Sequence, residues 1–207
     1  MLLSRIRCAT FVGASLVATA STASAHHLMG GKTPSTLADG ILSGLGHPII
    51  GPDHLAFLVA LGIAVGVGRL SLITPFLFLV AMACGVAAHV AAINIPAAEL
   101  IVALSVVIAG VLLALDRRIP ASGWAAIFSI AGFFHGYSYG ESIYSAETSP
   151  LAAYLVGLVA IQALLVLVIA FTSRTAWTVS AIGPRLVGAT ICGVGLTVLA
   201  AQVIPSP

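Results

Sequence analysis

Pro52, Pro75, Pro96, Pro120, Pro150 and Pro184 each stand just before an apolar run, and this punctuation constrains the fold more than any other feature. Proline lacks an N–H and has a fixed φ, so it suits the first turn of a helix and is disfavoured deeper in. The runs are His54 to Gly68, Phe76 to Ile95, Ala97 to Leu115, Ala121 to Tyr139, Leu151 to Thr172, and Leu186 to Ile204. Six helices are therefore expected. With 60% hydrophobic and only 7% charged residues, against about a quarter charged in a soluble domain, they read as membrane helices. All but the first reach the roughly 20 residues that a bilayer requires. The first run is short by about a turn and follows "GHPIIGPDHL". It either extends upstream past Pro52 or meets the interface as broken backbone, which is tolerated at membrane depth only where it lines a cavity.

The N-terminus carries Arg5 and Arg7, an apolar run from Cys8 to about Ala18, and Ala23-Ser24-Ala25. This is the layout of a cleavable signal peptide over residues 1–25, the competing reading being a retained first helix. Residues 26–207 then form one membrane domain: an all-α bundle of six transmembrane helices, with His26 as the mature N-terminus outside the cytoplasm. Removing the signal leaves Cys84 and Cys192, both within apolar runs, and no disulfide framework. It also balances the charge, so no basic patch suggests nucleic acid. Residues 28–47, rich in Gly, Ser and Thr, read as an external loop or a short surface helix.

The arginines orient the bundle, since short loops rich in Lys and Arg stay on the cytoplasmic side. With the N-terminus outside, six spans place Arg69, Arg117, Arg118, Arg174 and Arg185 inside and only Lys32 outside. Asp39, Asp53, Glu99, Glu141 and Glu147 then lie at or beyond the outer ends, with Asp116 alone inside. The C-terminus falls on the outer side. A bacterial inner membrane with a periplasmic N-terminus is the expected location.

On this topology His47, Asp53 and His54 open the first span, Glu99 begins the third, and His135 and Glu141 end the fourth. His89 is expected roughly two turns below the same outer face. Imidazole with carboxylate suits a divalent transition metal, and ionisable groups at membrane depth are functional candidates because burying them is costly without a partner or an ion. Each residue also has a structural reading. Asp53 and Glu99 serve equally as helix caps that complement the dipole; His47 suits an interfacial loop; His89 suits a core hydrogen bond; His135 suits a helix–helix bond beside Gly132-x-x-x-Gly136-x-x-x-Gly140. Adjacent on a helix, Asp53 and His54 point about 100° apart and cannot both face one ion. A carboxylate so placed orients an imidazole instead. His47 and His54 are seven apart, but Pro48 and Pro52 argue against a shared helical face. His26 and His27 with the α-amine form a weaker candidate for capturing metal.

The residues resemble the HupE/UreJ family of small membrane proteins associated with nickel supply to hydrogenases and ureases. His47, Asp53 and His54 match its H-x5-D-H pattern, and Phe134-His135-Gly136-Tyr137-Ser138-Tyr139-Gly140-Glu141 resembles its F-H-G-x-[AV]-H-G-x-E pattern. Ser138 and Tyr139 stand where the family has Ala or Val and then His. The resemblance implies a permease, not an enzyme, that passes Ni²⁺, or next Co²⁺, as a transported ion without a prosthetic group. The expected metal residues are His47, Asp53, His54, Glu99, His135 and Glu141, with His89, His26 and His27 behind them. The expected partners are the ion and the lipid bilayer, with a link to nickel-enzyme maturation. Two other readings remain: an intramembrane metal-dependent hydrolase, which needs an open coordination position and a bound water, and a non-transporting protein that hands metal to a maturation partner.

Overall fold

The computed structural model describes residues 33–116, 119–178 and 181–204, and among them seven helices form and no strand. The expected signal peptide, His26, His27, Lys32, Arg117 and Arg118 lie outside the described residues. The helices are α1 (Leu37–Ile50), α2 (Pro52–Val67), α3 (Ile73–Val90), α4 (Ala98–Ala114), α5 (Ala121–Glu141), α6 (Thr148–Ala176) and α7 (Ile182–Val203). The last six correspond to the proline-marked runs. Pro52 opens α2, Pro75, Pro150 and Pro184 lie in the first turns of α3, α6 and α7, Pro120 caps α5, and Pro96 precedes the cap of α4.

α1 takes up much of the stretch read as a loop or short helix. It begins at a capping box: the Thr36 hydroxyl accepts the Asp39 N–H at 3.1 Å, and the Asp39 carboxylate accepts the Thr36 N–H at 3.1 Å. Pro48 sits inside this helix without ending it. The break comes at Gly51, where α2 starts at 77° to α1.

Span lengths differ from the sequence expectation. α3, α6 and α7 are each long and apolar enough to cross a membrane, and the bent α1–α2 pair would make a fourth crossing. α4 is apolar but has 17 residues. α5 has 21 residues, but Ser129, His135, Tyr137, Ser138, Tyr139 and Glu141 interrupt its apolar sequence. α3 ends at Val90 rather than near Ile95, because Ala92 turns left-handed (φ 58°) and the Ile93 and Ala92 N–H groups fold back onto the Ala88 and His89 carbonyls at 3.1 and 2.8 Å. His89 therefore lies in the last turn of its helix, not two turns below it.

Small residues set the packing. Between lipid-facing helices there is no hydrophobic driving force, so association depends on close backbone approach. A methyl group at Gly136 would run into the Met82 carbonyl, one at Gly85 into the Phe133 carbonyl, and one at Gly132 would meet the Phe78 carbonyl at 2.6 Å. The glycine ladder of α5 is thus the seam with α3, the most extensive helix pair, and the two run parallel. α4 and α7 join antiparallel through Gly110, Gly188 and Gly195. α6 is crossed first by α1, at Gly40 and Gly44, and then by α2, at Gly62 and Gly66. With this alternation, Arg69, Asp116, Arg174 and Arg185 fall at one end and Glu99, Glu141 and Glu147 at the other, with Asp53 inward of them beside the elbow. At the arginine end a cavity of about 210 Å³ opens among residues that include Gly68, Leu113, Asp116, Trp124 and Arg185.

Candidate metal site

The elbow between α1 and α2 brings His47 and His54 together without a shared helix: their ring centroids are 5.9 Å apart. His135 arrives from α5. His47, Asp53, His54 and His135 are all buried, with 6%, 4%, 4% and 1% of their surfaces exposed.

Hydrogen bonds align one pair of imidazoles. The Ser105 hydroxyl lies 2.7 Å from the Val102 carbonyl and 2.9 Å from His135 Nε2, and when it donates to the carbonyl its oxygen accepts from the imidazole. With its proton on Nε2, His135 presents the Nδ1 lone pair to His54 Nδ1 at 2.8 Å, and His54 donates. A neutral imidazole bonded through Nδ1–H keeps its lone pair on Nε2, the form that ligates metal. That nitrogen lies toward the elbow, since a methyl group at Gly51 would meet the neighbouring ring atom, His54 Cδ2, at 2.7 Å. Phe57 and Phe78 pack on the other side of His135, at 4.5 and 6.5 Å between centroids, and Phe128 continues the aromatic layer.

His47 is held through Nδ1 by two hydroxyls, Tyr154 at 2.9 Å and Ser142 at 3.1 Å, both of which also reach the Tyr139 carbonyl. The Tyr139 ring lies against both histidines, 4.9 Å from His47 and 4.2 Å from His54, with its buried hydroxyl lacking a hydrogen-bond partner. Asp53 Oδ1 accepts the His54 N–H at 2.9 Å in the first turn of α2, where its charge complements the helix dipole, but Gly51 is the cap residue and no side chain closes the cap.

The carboxylates Glu99 and Glu141 are exposed at the same end, outside the buried cluster. Glu99 accepts a hydrogen bond from Ser138, one turn of α5 beyond His135. His89 is apart, against Tyr137 and Tyr144 on the α3 side. Among the described residues, no three or more of His, Cys, Asp and Glu are grouped closely enough to hold an ion. Sequence reading named the imidazoles but missed what holds them. Ser105, Ser142 and Tyr154 carry no local signal, because the histidines they touch are 30, 95 and 107 residues away. The family pattern also fits differently once its positions are counted. Its glutamate position is occupied by Ser142, with Glu141 one residue short of it, and its second histidine position by Tyr139. Both substitutes touch His47.

An all-helical fold with several helices long and apolar enough to cross a membrane is that of a small integral membrane protein. The comparisons specify which: the chain belongs to the HupE/UreJ family, described as HupE / UreJ protein, which it matches over residues 14–198. It is 34% identical over 131 residues to Protein HupE of Rhizobium leguminosarum bv. viciae, an alignment covering 61% of this chain and 69% of that protein. No solved structure matches it.

Proposed function

We propose that this chain is an inner-membrane permease for a divalent transition-metal cation, Ni²⁺ first and Co²⁺ next, crossing the bilayer six times with the histidine end outward. The observation that carries the reading is the pairing of His54 with His135, which leaves an imidazole nitrogen available inside a buried, low-charge site. Glu99 and Glu141, exposed at the mouth, draw the cation in. His54 and His47 select it, and Asp53 supplies compensating charge at the start of α2. Nitrogen donors favour Ni²⁺, Co²⁺ and Zn²⁺ over the hard Mg²⁺ and Ca²⁺. Six crossings are reached if α4 and α5, sheltered by their neighbours, span alongside the more apolar helices. The segregation of arginines to one end supports the orientation, and the cavity there offers an inward exit.

The test is Ni²⁺ uptake by proteoliposomes, with Co²⁺ and Zn²⁺ as competitors. Asp53→Asn and His54→Ala are expected to reduce uptake to background while the protein still inserts. Unchanged flux in either variant would overturn the assignment. Tight metal binding without flux in the wild type would favour metal delivery to a maturation partner, and metal-dependent cleavage of a lipid or peptide would favour a hydrolase.

A further inference from the structure

Among the described residues, four buried side-chain atoms have no hydrogen-bond partner: His89 Nδ1, the Tyr139 hydroxyl, and both the nitrogen and the oxygen of the Gln162 amide. Gln162 stands out because it is fully buried, at 0% exposure, and both halves of its amide are unmatched. Such a group is costly in a folded chain unless something binds it.

Its place in the fold gives it a use. Leu158, Gln162 and Val166 succeed one another at four-residue spacing and so share one face of α6. α1 crosses that face at Tyr154 and Leu158, opposite Gly44, and α2 crosses it at Val166, opposite Gly62. Gln162 therefore sits between the two crossings, at the level of the elbow. It lies two turns, about 12 Å, toward the arginine end from Tyr154, whose hydroxyl holds His47. The elbow has acceptors of its own. Residues 48 and 52 are prolines, so the Gly44 and Pro48 carbonyls lack the N–H that would close their helical bonds. Broken helices within a membrane use such carbonyls to coordinate cations. On the other side, the way past His135 is filled by Phe57, Phe78 and Phe128.

We propose that the Gln162 amide is a second cation-binding position, receiving the ion from the histidine cluster on its way toward the arginine end. This rests on the permease reading above. The ligand is a partly hydrated divalent cation, with Gln162 Oε1 as the protein oxygen. An uncharged amide oxygen binds such an ion more weakly than imidazole does, which suits a stop that must release its cargo.

The experiment uses the full chain, with Ni²⁺ as probe. Gln162→Leu removes an unmatched amide at similar volume, so its thermal unfolding temperature in detergent is expected to equal or exceed the wild type. Its Ni²⁺ affinity at the histidine cluster should be unchanged, while uptake by proteoliposomes falls at least tenfold. Gln162→Glu should retain binding and uptake. In a His54→Ala background, weak residual Ni²⁺ binding is expected that His54→Ala with Gln162→Leu loses. Wild-type flux in Gln162→Leu overturns the proposal, as does equal residual binding in the two His54→Ala proteins. So does a lowered unfolding temperature in Gln162→Leu, which would mark the amide as structural and hydrogen-bonded to trapped water. If wild-type vesicles take up no Ni²⁺, the permease reading fails by itself, and the residual-binding comparison still decides the role of Gln162.

Discussion

His54 Nδ1 and His135 Nδ1, 81 residues apart in the chain, lie 2.8 Å from each other, with the Ser105 hydroxyl behind His135 at 2.9 Å from its Nε2. The pair is an orienting device: one imidazole spends both nitrogens on holding the other, whose second nitrogen is kept for a ligand.

Replacing His135 by Phe tests that division of labour. Phenylalanine matches the aromatic surroundings of Phe57 and Phe78, so the fold is expected to survive, while His54 loses its acceptor. Removing such an orienting partner typically costs about 10–100-fold in metal affinity. Calorimetric titration with Ni²⁺ should show a loss in this range with no change in helix content by circular dichroism.

Metal binding should compete with protons. A ligating imidazole must be neutral, and protonation occupies the lone pair that the ion needs. Affinity is therefore expected to fall as pH is lowered. Each histidine that must lose a proton adds about tenfold per pH unit. Titrations with Ni²⁺ between pH 5.5 and 8 would give the slope.

Tyr139 offers two opposite outcomes. Tyr139→Phe deletes a buried hydroxyl that has no hydrogen-bond partner and is expected to stabilise the protein by about 1 kcal/mol, read as a higher unfolding temperature. Tyr139→His puts an imidazole against both His47 and His54, and should raise Ni²⁺ affinity at least tenfold. An unchanged affinity would place the phenol outside the ion's reach.

The glycine seam can be checked against an internal control. Gly136→Ala drives a methyl group into the Met82 backbone, whereas Gly193 has open space around it. The first change is expected to cost about 1–3 kcal/mol through overpacking. The second should be neutral or gain up to about 1 kcal/mol from helix propensity. Thermal unfolding in detergent separates them, and equal effects would remove close packing as the reason for the ladder.

By itself the sequence determined the helical, membrane-type character of the chain, the starts of α2 to α7, and the residue types at each end. These depend on local physics: proline is confined to first turns, apolar runs match helix lengths, and Gly at four-residue spacing makes a flat face. It also carried the start of α1, in the capping box of Thr36 and Asp39, a signal obscured by the Gly, Ser and Thr around it. Helix ends were less legible, because the left-handed turns at Arg69 and Ala92 have no glycine to mark them. Only the tertiary structure decided which polar residues meet. His47 and His54 converge because two helices bend by 77° at Gly51, His135 joins them while Glu99, Glu141 and His89 stay outside, and Tyr139 fills the space between. Those outcomes depend on the rotation of each helix about its axis, which is fixed by neighbours from 30 to 107 residues away and leaves no trace in local spacing.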